Sequence, residues 1–199
     1  MHCHEGFCFE VILIYCECLL FLLPQQQEIT FWYSPFISWL SLPPMGHKKL
    51  IRFKELETFP NVLQYPTGMS GNWKAFFKNN NPIILELACG KGEYATGLGE
   101  MYPDKNFIGV DLKGNRIWVG AKKAIQNKLA NVAFLRTQID KIAEYFAKDE
   151  IAAIWITFPD PQLRMSKAKK RLTHPKFLRL YQQFLCAAYA WRFAWPCMA

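Results

Sequence analysis

Four short segments of the chain carry residue types that could do chemistry. The first is Glu86-x-x-x-Gly90-x-Gly92. Glycines at a tight turn let a ligand approach the backbone closely. A Gly-x-Gly by itself is common to nucleotide-binding and methyltransferase folds. Ala95 stands where a dinucleotide fingerprint has its third glycine, an allowed variant that leaves both readings open. Glu86 separates them, because an acid beside the turn suits a cationic ligand and opposes a pyrophosphate. S-adenosylmethionine (SAM) carries a sulfonium and an ammonium and has no phosphate. The bland alternative is a tight turn with a solvated Glu.

The second segment ends at Asp111, nineteen residues after Gly92. A carboxylate at the end of the next strand can accept both hydroxyls of a ribose. Its bland alternative is a helix N-cap ahead of Lys113 and Arg116. The third is Phe158-Pro159-Asp160-Pro161. Two prolines stiffen the loop and hold the carboxylate at a strand end, where it could accept from a base edge or an amino group. A plain turn Asp is equally compatible with the residues. The fourth is a run of cations, Arg164, Lys167, Lys169, Lys170, Arg171, Lys176 and Arg179, without an acid among them. A solvated helix face normally mixes signs, so phosphate contacts explain the run better. Lys48, Lys49, Arg52 and Lys54 form a second basic stretch. Trp118, Trp155 and Phe158 read as core rather than as stacking platforms, and Cys89 as a small packing residue rather than a nucleophile.

These segments need strands and helices to place them. Residues 83–88, 106–110, 132–135 and 151–158 are apolar runs of strand length, and the last is continuously apolar, as when both faces are covered. Residues 93–101 and 116–129 read as helices, the latter with Ile117, Ala121, Ala124, Ile125 and Leu129 on one stripe. A short helix over 139–146 and another from Pro175 follow. Alternation of this kind predicts an α/β fold with a parallel sheet and flanking helices. Ligands of such sheets bind beyond the carboxyl ends of the strands. Cys89 to Gly92, Asp111, Thr137 with Gln138, and Pro159 to Arg164 all follow strands.

Composition fits a folded domain. The 199 residues are 51% hydrophobic, 16% aromatic and 20% charged, which excludes disordered, collagenous and low-complexity chains. The net charge of +8 favours an anionic partner. It is uneven: residues 1–44 hold four acids and no Lys or Arg, so all 24 basic residues lie beyond them. Seven cysteines without a regular framework suggest a reducing cytoplasm. His2, Cys3, His4, Cys8, Cys16 and Cys18 match no standard zinc spacing, so no metal is expected.

The motifs resemble one family, the bacterial tRNA (guanine-N(7)-)-methyltransferases. The resemblance rests on Glu86-Leu-Ala-Cys-Gly-Lys-Gly92, Gly109-Val-Asp-Leu-Lys113, Asn131-Val-Ala-Phe-Leu-Arg136 and Phe158-Pro-Asp-Pro161 with its basic tail. Lys49-Leu-Ile-Arg-Phe53 and Tyr65-Pro66 also look like the family's opening segment. The proline-flanked Asp before a basic stretch is the specific part. The resemblance implies a Rossmann-like SAM-dependent methyltransferase fold that moves a methyl group to N7 of a guanine in the tRNA variable loop. It implies that Glu86, Gly90, Gly92, Asp111, Gln138 and Asp160 bind the cofactor, and that Asp160 sits at the reaction centre. Arg164, Lys167, Lys169, Lys170 and Arg171 would contact tRNA. Two departures stand out: Gln162 replaces the family's Trp, and Gln138 replaces an acid or Asn. Guanine N7 has a free lone pair and no proton to lose, so no general base is required. The chain accordingly offers no Ser/His/Asp or Cys/His constellation.

Both ends read as foreign to this domain. Residues 1–44 show neither helical nor strand periodicity, and the character changes at Met45. They read as upstream translation from a misassigned start, or otherwise as a degenerate membrane anchor. No stable membrane association is expected, since Glu10 and Glu17 interrupt the apolar run. Residues 45–185 form the expected methyltransferase domain, with 186–199 an aberrant tail that leaves the sheet incomplete at its C-terminus. The expected protein is a cytoplasmic monomer acting on tRNA. Two other readings remain at this point: a non-catalytic RNA-binding fragment of such an enzyme, and a Rossmann-type nucleotide-dependent oxidoreductase.

Overall fold

Five parallel strands form a single sheet in the order β1-β4-β3-β2-β5. They are β1 (Val62–Gln64), β2 (Ile83–Leu87), β3 (Asn106–Asp111), β4 (Val132–Arg136) and β5 (Ala153–Trp155). The helices are α1 (Lys48–Leu56), α2 (Trp73–Phe77), α3 (Glu93–Met101), α4 (Gly114–Gln126) and α5 (Pro175–Tyr181). Two 3-10 segments, Ile139–Glu144 and Met165–Lys170, complete the order. The structure, a computed structural model, describes residues 48–157 and 160–186. The expectations for residues 1–47, including the change of character at Met45, for Phe158 and Pro159, and for 187–199 lie outside the described residues.

Parallel strands covered on both faces need apolar residues along their length, and β3 and β4 meet that demand between their polar ends, Asn106, Asp111 and Arg136. Alternate residues then serve two cores. Leu85, Leu87, Ile108, Val110, Ala133 and Leu135 face α2 and α5. Trp73 anchors that side, fully buried, with its indole N–H donating to the Tyr145 carbonyl at 2.9 Å. Phe107, Val132 and Phe134 face α1, α3 and α4. Ile117, Ala121 and Ala124 of α4 are fully buried there, while Ile125 at the stripe's edge is 38% exposed.

Three differences from the sequence reading have local causes. The fourth strand is only Ala153–Trp155, with Ile151 making a separate parallel bridge to Leu185 instead. The Cys186 N–H donates to the Ile151 carbonyl at 2.8 Å, so residues 185–186 run beside the start of β5. α4 begins at Gly114 rather than 116 and stops at Gln126, where Lys128 turns left-handed at φ 55. β1, α1 and α2 were not read at all. β1 has three residues and α2 five, too short for any period to register.

Phe134 is the central residue of the second core. A Cβ added to Gly92 would lie 2.3 Å from its ring, and Cβ atoms at Gly109 or Gly120 would each lie 2.8 Å away. Three glycines from a loop, a strand and a helix therefore yield space to one ring. Phe134→Ala should cost about 3–5 kcal/mol, because three rigid backbones cannot collapse into the void. Urea denaturation should show a lower midpoint with an unchanged slope.

Candidate active site

The strand order puts four carboxyl ends in a row: β4, β3, β2 and β5. The chain leaves β2 toward β3 and β4 on one side, and β5 lies on the other. That is the switch point where such sheets open a crevice. Register places Glu86 and Asp111 on the neighbouring strands β2 and β3 there. Glu86 pairs with Gly109 and with Trp155, and Asp111 pairs with Arg136.

The turn after β2 has an unusual backbone. Ala88, Gly90 and Gly92 all have positive φ, of 56°, 58° and 69°. Gly92 caps α3 in the left-handed conformation, and its N–H returns to the Cys89 carbonyl at 2.8 Å. The two glycines do different work. Gly92 has no room for a side chain over Phe134, whereas a Cβ at Gly90 would meet nothing within 4 Å. Gly90 is therefore where the backbone lies open to an incoming ligand. The turn is pressed from behind by α4: a Cβ at Gly120 would lie 2.4 Å from the Lys91 carbonyl oxygen. Gly120 was missed by the sequence reading, since a lone helical glycine carries no motif. Cys89 is buried, and burial holds its thiol well above the usual range, as a packing residue requires.

Asp111 is half-buried and ties two loops together. Its Oδ2 accepts from the Gly90 N–H at 3.0 Å and its Oδ1 from the Lys113 N–H at 2.8 Å. A carboxylate has about four lone-pair positions, so two remain for a ligand's hydroxyls. The bond to Lys113 is a local Asx-type turn and not the helix cap of the bland alternative, since Lys113 itself holds the N-cap position of α4 with no side-chain cap bond, and the bond to Gly90 reaches twenty-one residues back. Arg136 holds the same loop from the side. Its Nε donates to the Leu112 carbonyl at 3.2 Å, its Nη1 to Gln64 at 2.7 Å, and its guanidinium lies 4.9 Å from the Phe53 ring centre. No signal in the sequence marked Arg136 for that task. Gln138 is exposed just past β4, next to the fully buried Thr137, whose hydroxyl has no hydrogen-bond partner among the described residues.

Glu86 lies deeper than an acid at a ligand's edge. It is 5% exposed, its Oε2 accepts from the Ala95 N–H at 2.9 Å, and its Oε1 accepts from the Thr157 hydroxyl at 3.4 Å. It thus caps the first turn of α3 and bridges β2 to the end of β5. Burial pushes its carboxyl from the usual 4.5 up to about 7, with the Ala95 and Thr157 hydrogen bonds opposing and the charges of Glu93 and Asp111 adding.

Asp160 is exposed beyond β5, and its Oδ1 accepts from the Gln162 N–H at 3.1 Å. Asp160, Pro161, Gln162, Leu163, Arg164 and Lys167 line an open concavity of about 450 Å³. Leu163 and Met165 are 84% and 82% exposed beside it. Arg164, Lys167, Lys169 and Lys170 are exposed, while Arg171 is half-buried and donates to the Gln162 carbonyl. Trp118 is partly buried against the second core, yet its ring also carries Arg52 at 4.7 Å and Lys122 at 4.6 Å. Among the described residues no group of three or more His, Cys, Asp or Glu could hold a metal ion. No helix among them is long and apolar enough to cross a membrane.

Two outcomes test this geometry. Gly120→Ala should push the glycine turn away from α4 and destabilise the fold by about 1–3 kcal/mol, read from thermal or urea unfolding. The raised carboxyl of Glu86 disfavours its charged form in the folded state. Its contribution to stability is therefore greatest below about 4.5 and is lost as pH rises through about 7. The loss is about 3 kcal/mol at most, by the cost of each pKa unit. Between pH 5 and 8 the parent should lose stability relative to Glu86→Gln, which cannot ionise; parallel curves would remove the buried charge from the account.

Comparison with known proteins gives the same picture. Residues 80–188 match a family model described as "Putative methyltransferase". The chain is 51% identical over 150 residues to a tRNA (guanine-N(7)-)-methyltransferase of Bacteroides fragilis, covering 71% of this chain and 59% of that protein. It is 52% identical over 151 residues to the enzyme of the same name from Christiangramia forsetii, covering 71% and 67%. It thus spans about three fifths of the length of the Bacteroides relatives. The solved aminoglycoside resistance methyltransferase NpmB1 has the same fold, with a TM-score of 0.50 at 15% identity over 61% of this chain and 59% of that one. The sheet is that of a Rossmann-like methyltransferase, and the chain belongs to the tRNA (guanine-N(7)-)-methyltransferase family.

Proposed function

We propose that the protein transfers the methyl group of SAM to N7 of a guanine in tRNA. The observation that carries this is the 52% identity to a curated tRNA (guanine-N(7)-)-methyltransferase, two thirds of which the chain spans. The row of strand ends supports it. A ligand with vicinal hydroxyls and positive charge fits what the residues offer: open backbone at Gly90, spare lone pairs on Asp111, and no phosphate-binding cation on the turn other than Lys91, which pairs with Glu93 at 3.8 Å. A pyrophosphate would meet the charges of Glu93 and Asp111. The oxidoreductase reading has no support.

The residues divide the work. Asp111 holds the ribose and, through Gly90, keeps the turn in register with it. Gly90 and Gly92 give the cofactor its approach. Glu86 acts from below, fixing the start of α3, and a bound sulfonium and ammonium would favour its charged form against the cost of burial. Gln138 pairs with the adenine edge, since an amide both donates and accepts. Asp160 stands at the reaction centre, with lone pairs beyond the one its own turn uses. Arg164, Lys167, Lys169 and Lys170 are exposed and acid-free, as phosphate contacts require. Bound SAM supplies a methyl group activated by the adjacent positive sulfur. The base N7 needs no deprotonation, so what the chain contributes is placement and exclusion of water. A tRNA substrate also implies a cytoplasmic site of action.

Calorimetric titration with SAM tests the first half of this reading. Asp111→Ala should weaken binding about tenfold or more by removing charge-assisted hydrogen bonds. Asp160→Ala should weaken SAM binding less than Asp111→Ala does and mainly lower the rate of methyl transfer to tRNA, about a hundredfold or more. SAM binding unaffected by Asp111→Ala would move the ribose elsewhere, and full turnover in Asp160→Ala would remove that residue from the reaction centre.

A further inference from the structure

The basic segment is not uniform, and its exception lies at the loop of Asp160. Arg171 is half-buried, whereas Arg164, Lys167, Lys169 and Lys170 are exposed. Its guanidinium donates twice to one acceptor, the Gln162 carbonyl, from Nε at 3.3 Å and from Nη2 at 3.1 Å. Gln162 needs such help. Its φ is 42°, a left-handed conformation in which a side chain crowds its own backbone. The same residue's N–H is accepted by Asp160 Oδ1. One peptide unit is therefore held at its N–H by Asp160 and the next at its C=O by Arg171, so the two side chains fix the turn from both sides.

Arg171 is itself anchored to the body of the protein. Its N–H donates to the Ala168 carbonyl at 3.1 Å, and its carbonyl accepts from the His174 N–H at 2.9 Å, just before α5. The Leu172 carbonyl accepts from the hydroxyl of the buried Tyr181 at 3.2 Å. A continuous path runs from the α5 side of the core through Leu172 and Arg171 to Gln162 and the Asp160 carboxylate. A lysine could not replace the arginine, because a compact ammonium lacks the planar fork that brings two donors to one oxygen.

We propose that Arg171 is a positioning residue, whose guanidinium clamps the Gln162 turn and so aims the Asp160 carboxylate, rather than a phosphate ligand like its four exposed neighbours. The proposal rests on the reading of Asp160 as the residue at the reaction centre. Removing a clamp and removing a phosphate contact have different kinetic consequences. Loss of the clamp lowers kcat and leaves the KM for tRNA and its salt dependence in place. Loss of a phosphate contact raises KM, leaves kcat, and reduces the salt slope by about one.

The test compares Arg171→Lys, Arg171→Ala, Lys170→Ala and Asp160→Ala in the full chain, by tRNA methylation kinetics and by amide hydrogen exchange of residues 160–164. Arg171→Lys and Arg171→Ala should both lower kcat about tenfold or more, with KM for tRNA within about twofold. Lys170→Ala should raise KM instead. Arg171→Lys should also quicken exchange at Gln162, since the turn loses its carbonyl support, while core amides in β3 and β4 keep the parent's protection. The double variant Asp160→Ala with Arg171→Lys should be no slower than Asp160→Ala alone. Rescue of kcat by lysine, or unchanged exchange at 160–164 in a folded Arg171→Lys, would overturn the clamp. Faster exchange together with full turnover in Asp160→Ala would leave the clamp standing and sink the role given to Asp160, so the two failures are distinguishable.

Discussion

The structure depends on a close approach of backbones around one aromatic ring. Phe134 needs a cavity in a sheet-and-helix sandwich that has little space to spare. Gly92, Gly109 and Gly120 supply it by having no side chains. With the ring seated, β3 can lie under the turn after β2, and α4 can press against Lys91 from the other side. That packing fixes the turn's height above the sheet, which in turn fixes the distance between Gly90 and Asp111 at one hydrogen bond. The candidate cofactor cradle is thus shaped by an apolar residue that contributes no polar atom to it.

A second constraint is electrostatic. Glu86 is a carboxyl with almost no access to water, held by a helix N-terminal N–H and a threonine hydroxyl. Such a group is costly to ionise where it stands. It stabilises the start of α3 and couples β2 to the end of β5, and a cationic ligand at the glycine turn, as proposed, would favour its charged form. A neutral glutamine would serve the fold more cheaply. The tension between what the fold prefers and what a cationic ligand prefers is a mark of a binding site.

Sequence was informative where a pattern is long or chemically marked. β2, β3 and β4, α3 and the start of α5 were legible as apolar runs and stripes, because a parallel sheet covered on both faces favours hydrophobic residues along most of each strand. Asp111, Gly90 and Gly92 were legible because strand-end residues converge by topology alone. Short elements were not: Val62–Gln64 and Trp73–Phe77 are held by tertiary contacts, the latter through Glu150, whose carboxylate accepts from the Trp73 N–H. Roles that depend on approach rather than on residue type were also illegible. Gly120, Arg136 and Arg171 look like any glycine or any surface arginine until the atoms they face are known.

The two loops of the site are made rigid in opposite ways, and the chemistry explains why. A cradle for a cofactor must be complementary to one molecule each time, so close packing against Phe134 and α4 suits it: the shape is set when the core forms. On the proposed function, the loop of Asp160 admits a base from a folded RNA and must stay at the surface, where no core can pack against it. Its geometry then has to come from polar contacts, an Asx-type turn at Asp160 and an arginine fork behind Gln162. When the reaction needs no proton transfer, its barrier is lowered mainly by holding two reactants in line, and small errors of placement are expensive. If the chain carries out the proposed transfer, a surface loop tied down at both faces of its turn is what that reaction asks of a segment that cannot be buried.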